Sequence, residues 1–196
     1  MPSFQSLMYQ IGLNSIERAK KDAIGGFKAE LARLEEEWRE HKRKVAAGLI
    51  PDVEGDEETG YVFDFGEHIG EMQFEAEQCL KLVREAFLLT VYHYWEKEAC
   101  GLLGISHYKQ SEVFEAARVD KRFDVDEAGL NKARQIANCI KHDVGKALFK
   151  AHPELFDMEH KDPEDKSNWQ RALALTDEYL DGAIKVVRSS GPRDSK

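Results

Sequence analysis

Three cysteines among 196 residues, Cys79, Cys100 and Cys139, form neither an even set nor a close pair. A disulfide framework is therefore excluded. Basic charge is also short, with 28 Lys and Arg against 37 Asp and Glu and a net charge of -9. A whole-surface electrostatic grip on nucleic acid is disfavoured, and only a local basic site could provide one. No apolar run is long enough to cross a bilayer, so no membrane partner is expected. The first residues show no basic stretch followed by an apolar one, and the expected compartment is the cytoplasm. Internal repeats, coiled-coil heptads and low-complexity tracts are lacking as well. What remains is 42% hydrophobic and 33% charged, the composition of a globular chain of ordinary domain size. Residues 1–196 are read as one helical domain.

The apolar residues recur at helical spacing. The apolar or semi-apolar positions Ile24, Phe27, Leu31, Leu34, Trp38, His41 and Val45 alternate steps of three and four, with a capping pair at Asn14 and Glu17 and a stop at Gly48 and Pro51. Gly25 and Gly26 suggest a break between them. Residues 51–68 are rich in acidic residues and glycine and read as an acidic loop anchored by the aromatics of Tyr61 to Phe65. A second long helix is expected from about Glu71 to Leu103, apolar on nearly every side from Ala86 to Trp95. A short helix near Glu112 to Val119 follows. Asp124 with Glu127 then opens a helix running towards Pro153, and Ser167 with Gln170 opens the last. The tail from about residue 189 is expected to fray. The sum is an all-α bundle of four to five helices, with the two long ones packed antiparallel.

One segment concentrates polar chemistry. In Arg134 to Lys146, the residues Arg134, Asn138 and His142 recur every fourth position on a helix that otherwise buries itself. At about 1.5 Å rise per residue, Arg134 and His142 stand roughly 12 Å apart along the axis, a spacing that suits a phosphate held between them. An antiparallel second copy of the helix would also bring the two together. Residues 109–150 carry 9 basic against 7 acidic side chains, whereas both flanking segments are net negative. Lys141 and Lys146 are candidate phosphate contacts. The structural alternative makes Arg134 an ion-pair partner, Asn138 a backbone ligand and His142 a C-terminal cap.

The run Asn138-Cys139-Ile140-Lys141-His142-Asp143-Val144-Gly145-Lys146, with Pro153-Glu154-Leu155-Phe156 after it, resembles the signature helix of the HEPN superfamily, and the Phe87–Trp95 helix resembles its central helix. The resemblance implies a helical bundle that dimerises through the motif helix. In active members it implies a metal-independent endoribonuclease, in which an arginine and a histidine act on an RNA phosphate attacked by its own 2′-hydroxyl. His142 matches the family histidine and Asn138 the polar residue after the arginine. The usual arginine position holds Ala137 here, so Arg134 is expected to stand in. On that basis the catalytic candidates are Arg134, Asn138 and His142, with Lys141 and Lys146 binding phosphate and no cofactor or metal. The implied partners are RNA or a nucleotide, a second copy, and a protein such as an antitoxin. A non-catalytic binding module is the first alternative.

A second resemblance competes. The doublet His142-Asp143 with trailing Gly145-Lys146 also looks like HD-domain phosphohydrolases, which hold divalent metal; His107 and Asp177 would complete the set. Lys141 beside such ligands is electrostatically awkward. His41, His68, His93, His152 and His160 show no zinc spacing, and His93 reads as a core residue. Trp38, Trp95 and Trp169 read as core.

Overall fold

The computed structural model describes residues 3–56, 60–159 and 167–193. Among them are seven α-helices and one two-stranded hairpin, so the chain is all-α. It divides into two compact units, one of residues 1–20 with 84–196 and the other of residues 21–83. Helices α1 (Phe4–Ala46) and α2 (Phe65–Leu103) each contribute to both.

In the unit of residues 21–83, α1 runs unbroken through Gly25 and Gly26. The pair costs about 1 kcal/mol each against alanine, which a helix of this length absorbs. Arg33 with Glu30 and Glu37, and Lys44 with Glu40, pair along its exposed face at helical spacing. The helix stops before Gly48, which takes the left-handed conformation at φ +68°. The expected acidic loop is instead a hairpin, β1 (Val53–Asp56) against β2 (Tyr61–Asp64), antiparallel with Val53 opposite Asp64 and Gly55 opposite Val62. Phe65 then opens α2, six residues earlier than the sequence pattern suggests. The aromatics that read as a loop anchor do anchor it: Phe65 stacks on His41 with centroids 4.3 Å apart, and His41 stacks on Trp38 at 5.7 Å. Gly66 leaves room for that indole, since a Cβ there would meet it at 2.8 Å.

The larger unit is organised around Trp95 of α2, which is fully buried and donates its indole N–H to the Ser190 carbonyl at 3.1 Å. Leu13 of α1, Phe114 of α3 (Gln110–Val119), Leu130 of α4 (Glu127–His142) and Ile184 of α7 (Asp177–Ser189) belong to the same core. The capping residue of α4 is Asp126, not Asp124: its carboxylate accepts from the Gly129 N–H at 2.9 Å. A Cβ on Gly129 would meet the Val186 methyls at 2.7 Å, so α4 and α7 approach closely there.

Further helix boundaries differ from expectation. The helix expected to reach Pro153 stops at His142, because Asp143 turns left-handed at φ 55°, and α5 (Lys146–Ala151) begins after it. The last helix is two. A short α6 (Trp169–Ala172) gives way to an extended stretch in which Leu173 bridges to Phe156, and α7 restarts at a Thr176 cap. Asn14 and Glu17 do not cap α1 but lie inside it, where both accept from the Arg188 guanidinium.

The C-terminal stretch does not fray at residue 189. Ser190, Gly191 and Pro192 are buried, the Ser190 hydroxyl oxygen accepts from the Asp126 N–H, and the Arg193 N–H donates to the Arg122 carbonyl at 2.7 Å. Tyr9 donates its hydroxyl to the Val187 carbonyl at 2.6 Å, closing the same seam from α1.

Two outcomes test this packing. Gly129→Ala should destabilise the protein by about 1–2 kcal/mol in urea unfolding, overpacking at Val186 outweighing the gain in helix propensity. Stability should also fall above about pH 10. Burial holds Tyr94 and Tyr108 protonated to about 12, and pushes Tyr9 and Tyr92 higher still. An unfolded chain ionises its tyrosines near 10, so the stabilisation is complete below that pH and is lost as it rises towards 12. Thermal melts from pH 8 to 11 would show the decline.

Candidate functional site

Helix α4 is fixed by its apolar face, with Leu130, Ala133, Ile136, Ala137 and Cys139 buried. The polar stripe runs along the edge of that buried surface. Arg134, Asn138 and Lys141 line a cleft of about 330 Å³, together with Tyr92, His93 and Glu96 of α2 and Tyr108, Lys109 and Gln110 ahead of and at the start of α3. Helical geometry explains the membership: at about 100° per residue, positions four and seven beyond Arg134 return to within roughly 40° of it, whereas the eighth is about 80° away. Lys141 thus takes the place expected of His142. His142 is the last residue of α4, exposed, and not among the lining residues. Lys146 opens α5 beyond the turn and does not line the cleft either.

The cleft has an excess of hydrogen-bond donors. The Arg134 Nη2 donates to Asn131 Oδ1 at 3.1 Å, but its Nε is buried with no hydrogen-bond partner among the described residues. The Gln110 side-chain nitrogen is in the same condition. Such groups cost free energy when left unpaired, on the order of 1–3 kcal/mol each, and a ligand with acceptor oxygens would relieve the cost. The hydroxyls of Tyr92 and Tyr108 lie 2.6 Å apart in one hydrogen bond. Burial is the main reason both hold their protons; the Arg134 charge pulls the other way. Glu96 is the one carboxylate lining the cleft, against the cations Arg134, Lys141 and Lys109. Lys109 is paired with the exposed Glu112 at 2.8 Å.

His93 is not the core residue that its apolar neighbours suggest. Its side chain is 45% exposed and its Nδ1 lies 2.8 Å from Glu96 Oε2, one helical turn on. The signal was present as a histidine and a glutamate three apart. It was masked by the apolar run around them, because a helix buried on most sides still keeps one narrow polar edge. Tyr92, Tyr108 and Gln110 carried no such signal, since only the fold brings α2 and the start of α3 beside α4.

The motif's acidic member is structural. Asp143 accepts the Asn168 N–H on one carboxylate oxygen at 2.5 Å and the Gln170 N–H on the other at 2.8 Å. Gly145 is needed beside it, because a Cβ there would meet the Trp169 side chain at 2.5 Å. Asp177, the distant acid of the HD resemblance, pairs with Arg84 at 2.8 Å, and His107 is exposed. Among the described residues no group of three His, Cys, Asp or Glu is placed to hold a metal ion. Trp95 and Trp169 are buried as expected, while Trp38 is only half-buried.

Asp143→Ala should lower unfolding stability by about 1–3 kcal/mol through the two amides it strands, and leave ligand binding at the Arg134 cleft intact at temperatures where the variant is folded. Urea titration beside a binding assay separates the two effects. Set against known proteins, the chain matches no family model, no curated protein and no solved structure.

Proposed function

We propose that the protein acts on RNA, as a HEPN-like, metal-independent endoribonuclease that holds one phosphate in the cleft of Arg134, Asn138 and Lys141. The observation that supports this reading most is the buried Arg134 Nε, a charged donor without an acceptor in a cleft lined by two further cations. Cleavage of RNA by its own 2′-hydroxyl needs no metal if protein groups neutralise the charge gathering on the non-bridging phosphate oxygens and move one proton. A guanidinium offers planar, directional donors for those oxygens, and Lys141 adds a point charge one helical turn beyond Asn138. The local character of the cationic site also fits a chain whose net charge is -9. Affinity would come from a few contacts at one phosphate rather than from the surface as a whole. A homodimer through α4 belongs to the same proposal, since His142, exposed at the helix end, could meet the cleft of a second copy.

The test is cleavage of a single-stranded oligoribonucleotide in EDTA. The wild-type protein should leave cyclic phosphate ends. Arg134→Ala should lower the rate by about 100-fold or more, as removal of one preorganised donor to a developing oxyanion does. Lys141→Ala should weaken RNA binding and reduce its salt slope by about one phosphate contact. Cleavage that requires a divalent metal, or that persists unchanged in Arg134→Ala, would count against the reading.

A further inference from the structure

We infer that His93, held by Glu96, is the proton-accepting catalytic residue of this cleft. The inference rests on the RNA-cleaving reading and supplies the group that the reading lacks within one chain. A phosphate seated on Arg134 needs a base beside the attacking 2′-hydroxyl. Of the residues lining the cleft, only His93 carries an imidazole, the side chain whose ordinary pKa suits proton transfer near neutrality. Glu96 completes the geometry. With Nδ1 at 2.8 Å from the Glu96 carboxylate, a hydrogen bond donated from Nδ1 to that carboxylate leaves Nε2 as the nitrogen that can accept. The carboxylate also stabilises the imidazolium once it forms, so Glu96 is a positioning residue that acts through His93. Partial exposure of the ring, at 45%, leaves Nε2 reachable by a polymeric substrate.

The step balances as follows. The 2′-hydroxyl gives its proton to His93 Nε2 as its oxygen forms a bond to phosphorus. The bond from phosphorus to the 5′ oxygen breaks, and that oxygen takes a proton from water. The products are a 2′,3′-cyclic phosphate and a 5′-hydroxyl, and the imidazolium returns its proton to solvent. Arg134 and Lys141 neutralise the phosphoryl oxygens throughout, and no oxidant or metal enters.

The experiment measures cleavage of a defined oligoribonucleotide in EDTA by the full-length protein, with RNA binding measured in parallel. His93→Ala should lower kcat by at least about 100-fold with KM unchanged, and added imidazole should restore part of the rate. Glu96→Gln should lower kcat without raising KM, which loss of fold or of affinity would not do. An oligonucleotide with a single 2′-deoxy residue at the cleavage site should bind and remain uncut. Wild-type rates in His93→Ala would overturn the inference. Loss of cleavage in His142→Ala, with His93→Ala active, would overturn it too while leaving the RNA-cleaving reading standing. RNA binding that depends on Arg134, without any cleavage by the wild-type protein, would overturn both the assignment of His93 and the enzymatic reading. No RNA binding at all would overturn the functional reading itself.

Discussion

Burial of the Trp95 indole is the constraint on which the larger unit depends. Truncating a tryptophan in such a position typically costs about 3–5 kcal/mol, a large part of the stability of any domain. Its one polar atom is satisfied by the Ser190 carbonyl, so the ring gains the benefit of burial without stranding a donor. That bond reaches the very end of α7, and with it the chain beyond. The docked Gly191 and Pro192, the Tyr9 hydroxyl on Val187 and the Ser190 hydroxyl on Asp126 all follow from having α7 finish beside Trp95. The last of these contacts holds the residue that caps α4. The core tryptophan and the start of the motif helix are therefore two bonds apart.

The cleft inherits its geometry from that arrangement. With Leu130, Ala133 and Ala137 locked into the core, the rotation of α4 about its axis is set, and Arg134, Asn138 and Lys141 stand at the edge of that packed surface, where Ala137 also lines the cleft. Tyr92, one turn before the buried Trp95 on α2, is itself in the core yet reaches the cleft with its hydroxyl bonded to Tyr108. The wall of the cleft at Tyr92 and Tyr108 is thus a continuation of the core, and their bonded hydroxyls are held in place by it. Preorganisation of this kind is what lets a few donors matter, because they need not be reordered when a ligand arrives.

Much of this was legible in the sequence, and the misses share a cause. The apolar spacing of α1, α2, α4 and α7 marked them as helices, and the polar stripe of α4 stood out because it interrupted a burying face. Boundaries were harder. Gly25 and Gly26 read as a break, yet a Cβ at either would meet nothing, so they sit on an open face where glycine costs propensity alone. Asp143 read as a possible metal ligand because its partners, the amides of Asn168 and Gln170, lie a quarter of a hundred residues away and have no identity that a sequence can show. His93 read as core because the apolar run from Ala86 to Trp95 outvoted it. Periodicity counts faces, and it cannot see which short polar edge another helix will leave open.

The two bonds at Asp143 also have a consequence for how the chain can vary. They draw Asn168 and Gln170 to the end of α4, after the chain has contributed α5, the buried Leu148 and Leu155, and the Phe156 bridge to Leu173. Packed segments tolerate little change in length, because an inserted residue has to be absorbed between side chains already in contact. A change of length between residues 144 and 159 would therefore disturb the seating of Trp169 beneath Gly145, and with it the turn that ends α4. A carboxylate that does no chemistry in this way fastens the end of the motif helix to the segment that carries Trp169.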